Sequence, residues 1–411
     1  MPKRSKLWLA PLALAVVSLV AACSGSTTAT TASSAAAAPA ASSAAAAPAA
    51  SSAAAPAASG AASAAAPATM DGGGKTISVF MPSTSNNYLA EWRRGLEATA
   101  KELNYQVTVV ENNFDQSEQD LQIQQALASG TPADIYVMWP ADSKAGVASL
   151  RALSQTGVPT VVANQPPPEE AVPFMTMYAG VNDYLNGQVG GQMELGARDA
   201  AAAAGMKLHS PEGNLVEIKF TPGYQASVAR HDGFIDATKD KPFNLIASEF
   251  SGFDAEAGYN TMSQLIAANK AKGIDFVYAH NDALALGANK ALNEAGLIPG
   301  KDVMVVGSTC HGDLTALENG QQYGSGLQAA RLEGNVVALA VGRYFNNGGT
   351  VLDGEDSPEP SPEFPATSTA PYKYNYIPNP GVIFSSDKAA NVALLDNTVL
   401  WGDNMRNLCT Y

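Results

Sequence analysis

The chain has 411 residues, of which 46% are hydrophobic and 15% charged, and its formal net charge is −14. That acidic balance argues against nucleic acid and anionic lipid headgroups as partners, because both bind basic surfaces. It places no constraint on a small ligand.

The first residues have the pattern of a secretory leader. Lys3, Arg4 and Lys6 give a positive start, and an apolar run over residues 7–20 follows. A membrane-spanning helix needs about 20 apolar residues, so this run is too short to be one. We predict a signal peptide over residues 1–22.

Cys23 follows the leader directly, after two alanines. Small residues before a cysteine are typical of bacterial lipoproteins, which are cleaved there and acylated on the cysteine. We therefore predict that Cys23 carries a lipid anchor, which holds stably when more than one acyl chain is attached. The alternative is an ordinary signal peptide cleaved near Ala22, with Cys23 incidental.

A low-complexity segment follows, over residues 23–74. It consists almost wholly of Ala, Ser, Thr and Pro, in near-repeats such as SSAAAAPA, up to about Ala68. Proline recurs too often for a helix to run far, and no large apolar side chain is present to build a core. We expect a disordered, semi-rigid stalk that ends in the flexible joint Gly72–Gly74.

From Lys75 onward, strand-like and helix-like segments alternate. The first series has strands at 76–81, 106–110, 134–138 and 159–163, and helices at 88–103, 117–128 and 142–155. After a longer loop at 165–173, the second series has strands at 215–220, 243–249, 276–278 and 303–306, and helices at 184–204, 225–238, 255–268, 283–294 and 332–344. This alternation predicts parallel sheets with right-handed crossovers.

Two such series, roughly 340 residues together, exceed one domain of ordinary size and predict a two-lobed α/β fold with a cleft between the lobes. The predicted N-terminal lobe spans residues 75–181 and about 329–350. The C-terminal lobe spans 182–328 and about 380–411. A Gly/Pro-rich insertion at 346–380, expected to be a surface loop, separates the last two pieces.

The carboxyl ends of parallel strands carry the binding loops, so the residues that follow each strand are the candidates for a site. Amide, carboxylate and guanidinium groups there suit sugar hydroxyls, which donate and accept at once, and aromatic rings suit the C–H faces of a sugar. The candidate ligand-binding residues are Asn86, Tyr88, Trp139, Asn164, Asn182, Asp183, Arg230, Asn281, Thr309 and Gln328.

Several candidates also have a structural alternative. Asn and Asp after a strand are often turn residues or helix caps, and Asn281 precedes an alanine-rich helix that it would cap. Trp139 would equally suit the core of a lobe, and Arg230 the surface.

The body resembles the bacterial type I periplasmic sugar-binding proteins, the family of ribose-binding protein. The resemblance runs from about Lys75 to about Tyr344 and rests on short segments: ISVFMPSTSNNY at 77–88, PADS at 140–143, TGVP at 156–159, VARHDGF at 228–234, YAHNDALALG at 278–287, VMVVG at 303–307 and SGLQ at 325–328. It implies two lobes, each a parallel sheet flanked by helices, joined by a hinge that the chain crosses several times.

The resemblance also implies roles for the candidates. Asn86 and Tyr88 would belong to the pocket of the first lobe, and Asn182 or Asp183 would lie at the crossover. Arg230, Asn281 and Gln328 would be the contacts of the second lobe. At two positions the chain departs from the family: Asn164 and Thr309 stand where many members have Asp.

Beyond Cys23, the chain has two cysteines, Cys310 and Cys409. Outside the cell two remaining cysteines usually pair, and a bridge here would stabilise the fold by about 4–5 kcal/mol in the chain-entropy model. The alternative is two separate buried thiols.

The function predicted is that of the extracytoplasmic receptor of an ABC importer, which binds a monosaccharide or a related polyol and passes it to the permease and ATPase subunits. We expect a monomer anchored to the cell membrane, with no cofactor and no metal. An enzyme is not expected, because GxSxG, HExxH and paired CxxC motifs are absent and the four histidines are scattered. A receptor that presents its ligand to a kinase or chemoreceptor would have the same fold and cleft.

The anchor can be tested with one substitution. If Cys23 is acylated, Cys23→Ser will move the protein from the membrane fraction to the soluble fraction after an alkaline wash, and mass spectrometry will find no lipid on it. A Cys23→Ser protein that stays in the washed membranes would contradict the anchor.

Overall fold

The computed structural model describes residues 70–85, 87–130, 133–351 and 374–409. The predicted signal peptide, Cys23, the stalk up to residue 69, Asn86 and most of the 346–380 insertion lie outside these ranges. Within them, no helix has both the length and the apolar character that crossing a membrane requires.

Strands and helices alternate along the chain. The strands are β1 Thr76–Pro82, β2 Gln106–Asn112, β3 Ile135–Met138, β4 Thr160–Ala163, β5 Met177–Gly180, β6 Asn214–Lys219, β7 Asn244–Phe250, β8 Phe276–Ala279, β9 Met304–Val306, β10 Gly324–Gly326, β11 Tyr374–Tyr376, β12 Gly381–Ile383, β13 Val399–Leu400 and β14 Asp403–Asn404. The helices are α1 Asn87–Glu102, α2 Gln116–Ser129, α3 Val147–Ser154, α4 Asp183–Ala203, α5 Gln225–Thr238, α6 Ala255–Asn269, α7 Asp282–Glu294, α8 Thr315–Glu318, α9 Ala330–Asn346, α10 Lys388–Asn397 and α11 Met405–Cys409.

The strands form two six-stranded sheets, one in each lobe, and a small β13–β14 hairpin. The first sheet has the order β11-β5-β4-β3-β1-β2 and the second β12-β10-β9-β8-β6-β7. Within the two six-stranded sheets, pairing is parallel except between β10 and β12; the β13–β14 pair is antiparallel. The two lobes thus repeat one topology. In such sheets a ligand binds beyond the carboxyl ends of the strands, where the strand order reverses.

The sequence forms these sheets because their central strands are apolar on both faces. Val79 and Phe80 are neighbours on β1 and point to opposite faces, yet both are buried. Helices therefore cover both sides of the sheet, as in other parallel α/β lobes. On the second sheet, β8 from Phe276 to Ala279 is buried at every position in the same way.

The predicted α/β class with parallel sheets is confirmed, but some elements differ. The sequence predicts no strand at Met177–Gly180, where β5 lies, because the four residues carry no pattern that distinguishes them from the preceding loop. Helix α3 begins at Val147, not at Asp142, since the Asp142 side chain accepts from the amides of Lys144 and Ala145 and forms a turn. The segment predicted as a surface loop ends in β11, which extends the first sheet.

Within the described ranges, the chain passes between the two sheets three times. The first crossing lies between β5 and α4, and the second between β10 and α9, which packs against α1 in the first lobe. The third lies between β11 and β12. All three connections are short, so they can act together as a hinge.

Pairs of glycines bring neighbouring helices into close contact. A Cβ on Gly187 of α4 would lie 2.7 Å from the carbonyl carbon of Arg230 on α5, and one on Gly233 of α5 would lie 3.0 Å from that of Tyr184 on α4. Gly95 on α1 and Gly334 on α9 face each other's helix in the same way. The backbones of α4 and α5 therefore pack directly on each other, as do those of α1 and α9. These contacts fix the positions of Arg230, on α5, and of α9.

A disulfide joins Cys310 to Cys409, 99 residues later, with a sulfur–sulfur distance of 2.18 Å. Both cysteines are fully buried. The bond ties α11 at the end of the described chain to the loop that follows β9, so the C-terminal segment belongs to the second lobe.

The close α4–α5 contact gives a prediction. Gly187→Ala should lower the free energy of unfolding by about 1–3 kcal/mol, because the added methyl group has no room beside the Arg230 backbone. Gly196→Ala on the same helix is the matched control. There the nearest atom is the Tyr323 hydroxyl at 3.0 Å, which can move, and alanine gains helix propensity. Urea unfolding compares the two; equal stabilities would contradict the packing argument.

Candidate functional site

A cleft lies between the two lobes, at the carboxyl ends of their strands. Of the ten ligand-binding candidates from the sequence, eight line it: Tyr88, Trp139, Asn164, Asp183, Arg230, Asn281, Thr309 and Gln328. Lining residues that sequence reasoning missed include Phe114, Phe220, Tyr224 and Phe253.

Arg230 on α5 lines the cleft from the second lobe and is only 2% exposed. Its Nε donates to Asp183 Oδ1 at 2.8 Å, and its Nη2 donates to Gln328 Oε1 at 2.7 Å. Its Nη1 donates to the carbonyl of His280. The guanidinium group lies 5.0 Å from the ring centroid of Phe220, within reach of a cation–π contact. Three separate elements thus fix its plane.

A buried carboxyl, Glu333, lies behind the first-lobe wall. Tyr88 Oη donates to Glu333 Oε2 at 2.6 Å, and Asn164 Nδ2 donates to Oε1 at 3.1 Å. Burial raises the pKa of Glu333 to about 8, and these two hydrogen bonds offset part of the rise. Sequence reasoning missed Glu333, because an acidic residue in the first turn of a helix is an ordinary helix-end feature.

The two walls touch each other across the cleft. Tyr224 of the second lobe donates from its hydroxyl to Asn164 Oδ1 of the first lobe, at 2.9 Å. At another point Phe114 of the first lobe stacks on Phe253 of the second, with ring centroids 5.5 Å apart and planes 23° apart. Asn164 and Phe114 both have left-handed backbone, with φ of 61° and 56°. These contacts describe a closed arrangement of the lobes.

Most of the apolar residues that line the cleft are aromatic. Phe253 stacks on Phe220 at 5.2 Å and meets Tyr224 edge to face at 5.0 Å. On the first lobe, Trp139 meets Tyr88 edge to face at 6.2 Å. Rings held in this way suit the C–H face of a sugar ring.

Three of the predicted contacts have structural partners of their own. Asn182 caps α4, because its side chain accepts from the amide of Leu185 at 3.1 Å. It does not line the cleft, whereas its neighbour Asp183 lines it. Asn281 lines the cleft but caps α7. Thr309 also lines it, and its hydroxyl donates to Asp282 Oδ2 at 3.0 Å. Asn86 lies outside the described residues.

The histidines near the cleft hold different positions. His311 lines the cleft, and burial lowers its pKa. The ring of His280 lies in the lobe interior, where Nε2 is 2.9 Å from Glu217 Oε1. Burial of Glu217 is outweighed by this histidine and by His231, so the pKa of Glu217 is lowered. Within the described ranges, no three His, Cys, Asp or Glu side chains are grouped so as to hold a metal ion.

Chemically, the site combines planar hydrogen-bonding groups with aromatic rings and has little net charge near its centre. The positive charge of Arg230 is paired with Asp183. Three of the five N–H donors of the guanidinium group donate to protein atoms, and Arg230 also lines the cleft. Such a site can bind a polar molecule from both sides.

Known proteins are similar to this chain in sequence and in fold. The ribose import binding protein of Bacillus subtilis (strain 168) is 27% identical over 232 residues, covering 56% of this chain and 68% of that protein. The galactofuranose-binding protein of Escherichia coli (strain K12) is 41% identical over 93 residues, covering 22% of this chain and 29% of that protein.

Among solved structures, a galactofuranose binding protein superimposes with a TM-score of 0.62 at 20% identity, covering 78% of this chain and 98% of that one. The sequence profile of the periplasmic binding protein domain matches residues 77–349. That match covers more than half of the chain. The chain therefore belongs to the periplasmic binding protein domain family.

Proposed function

We propose that this protein is the extracytoplasmic receptor of an ABC importer, which binds a monosaccharide or a closely related polyol between its lobes. One observation carries the proposal: a buried arginine, held in plane by three elements, lies in a cleft whose polar side chains and aromatic rings come from both lobes. The relatives named above, which import ribose or bind galactofuranose, support the class of ligand.

The charge of the cleft favours a neutral ligand. Arg230 is already paired with Asp183 at 2.8 Å, so an anionic ligand would have to share a cation that is not free. Planar donors and acceptors that are already oriented suit several hydroxyl groups at fixed angles, as a sugar ring presents them.

Binding would act on the hinge. A ligand that contacts Tyr88 and Asn164 on one lobe and Arg230 on the other makes all these contacts only when the lobes are closed, so it shifts the population toward the closed form. The permease would then recognise the closed form. In this proposal the protein is a binding protein without catalytic activity and works as a monomer.

The leader and stalk complete the proposal. A lipid on Cys23 would hold the receptor at the extracytoplasmic face of the cell membrane, and residues 24–74 would let the lobes reach the permease. The support for this part is the pattern of the first residues, an apolar run that ends in two alanines and a cysteine.

A ligand screen with a variant tests the proposal. A sugar or polyol at 100 times its dissociation constant should raise the free energy of unfolding by about 2.7 kcal/mol in a thermal-shift assay. With the ligand so identified, calorimetry should show that Arg230→Ala loses about 2–4 kcal/mol of binding, because buried polar groups of ligand and protein are left unpaired.

Two further variants make this result specific. Arg198→Ala, which removes an arginine that bonds backbone carbonyls of the same lobe, should leave affinity unchanged. Arg230→Ala combined with Asp183→Asn leaves no unpaired buried charge and should bind as weakly as Arg230→Ala alone. Unchanged affinity in the Arg230 variants would remove Arg230 from the site, and the absence of any stabilising sugar or polyol would contradict the ligand class.

A further inference from the structure

Glu333 has a position that the described function does not explain. It is fully buried in the first turn of α9, directly after the second crossing of the hinge, and it does not line the cleft. Space for it depends on Gly180 at the end of β5, where a Cβ would lie 2.8 Å from Glu333 Oε1. A carboxyl group is thus buried at the junction of the lobes, although its burial costs desolvation free energy. An apolar side chain at this position would not have that cost.

The two groups that Glu333 contacts both belong to the cleft wall. Asn164 Nδ2 lies 3.1 and 3.2 Å from its two carboxyl oxygens, so the amide oxygen of Asn164 is turned toward the second lobe, where Tyr224 donates to it. The Tyr88 hydroxyl donates to Glu333 and accepts from Gln328 Nε2 at 2.7 Å. Because the carboxylate can only accept, it determines that both Tyr88 and Asn164 act as donors toward it.

We propose that Glu333 is a positioning residue of the cleft, which determines through Tyr88 and Asn164 the donors and acceptors that the first lobe presents to the ligand. The inference rests on the proposed function, since it takes the cleft as the ligand site. As a carboxylate, Glu333 accepts from both groups. As a carboxylic acid it donates its proton to the Tyr88 oxygen, and the hydroxyl proton of Tyr88 turns away from Glu333 and becomes a donor for the ligand.

The surroundings of Glu333 place this change of state near neutral pH. Burial raises its pKa to about 8, the hydrogen bonds from Tyr88 and Asn164 lower it, Asp183 raises it and Arg230 lowers it. The folded pKa lies above the ordinary value of 4.5, so this group's contribution to stability falls as the pH rises from about 4.5 to about 8.

The affinity for a ligand should depend on pH in the same direction as the stability does. Opening of the cleft exposes to water Tyr88 and Asn164, the two cleft residues that donate hydrogen bonds to Glu333. We expect this to lower the pKa of the carboxyl group, so that closure around a ligand takes up a proton. Affinity should therefore fall as the pH rises, by about tenfold between pH 6 and pH 9 when opening lowers the pKa of Glu333 by about one unit.

The first test needs no ligand. In the full chain with ¹³C-labelled glutamate carboxyl groups, NMR should show one resonance that titrates near pH 8 and is lost in Glu333→Gln. Tyr88→Phe should raise that midpoint, because the carboxylate loses a donor. A midpoint that Tyr88→Phe does not move would overturn the inference, even if the proposed ligand class is wrong.

The second test measures the dissociation constant by calorimetry from pH 6 to pH 9, with the sugar that the screen identifies. The wild type should weaken about tenfold, and Glu333→Gln should show a flat profile. Glu194→Gln is the matched control, because Glu194 is also fully buried with a raised pKa but lies in α4 with no hydrogen-bond partner for either carboxyl oxygen. That control should keep the wild-type slope. A Glu333→Gln protein with the wild-type slope would overturn the inference, whereas a screen that finds no stabilising sugar or polyol would count against the proposed function alone.

Discussion

The structure depends on one buried cation. Arg230 is almost entirely removed from water, and a guanidinium group in that position is stable only if its N–H groups are satisfied. Its three protein partners come from the start of α4, the loop after β8 and the segment that leads into the hinge. Their mutual positions are therefore set by one planar group.

From Arg230 a chain of hydrogen bonds runs through the cleft into the first lobe. Gln328 accepts from Arg230 and donates to Tyr88, and Tyr88 donates to Glu333. Asn164 also donates to Glu333 and accepts from Tyr224 of the second lobe. Because this chain joins the lobes beside the hinge, groups that would bind a ligand also take part in holding the closed form, and a change at one of them affects both.

Much of the fold follows from the sequence alone. Alternating apolar and amphipathic segments predict most of the strands and helices, because a parallel sheet needs strands buried on both faces and helices on either side. Strand β11 could not be predicted in this way, since it is three residues long and is defined by its pairing with β5. Helix α3 begins later than predicted because Asp142 forms a turn that periodicity does not register.

The site was predictable in part, for a physical reason. Tyr88, Asn164 and Arg230 lie together because the carboxyl ends of parallel strands meet at one edge, which the strand pattern indicates. Asn182 shows the limit, because an asparagine that caps a helix and one that binds a sugar have the same position in the sequence. Phe114 and Phe253 lie in connecting loops, and only the closed arrangement brings them together.

The central claim is that a ligand closes the two lobes around itself. It is tested most directly by pulsed electron spin resonance on Asn113→Cys/Glu256→Cys, with spin labels at two exposed positions on either side of the Phe114–Phe253 contact. The ligand is one whose binding has first been established by calorimetry. When it is added, the mean distance between the two spin labels should become shorter and the distribution of distances narrower. Identical distributions with and without saturating ligand would contradict the account.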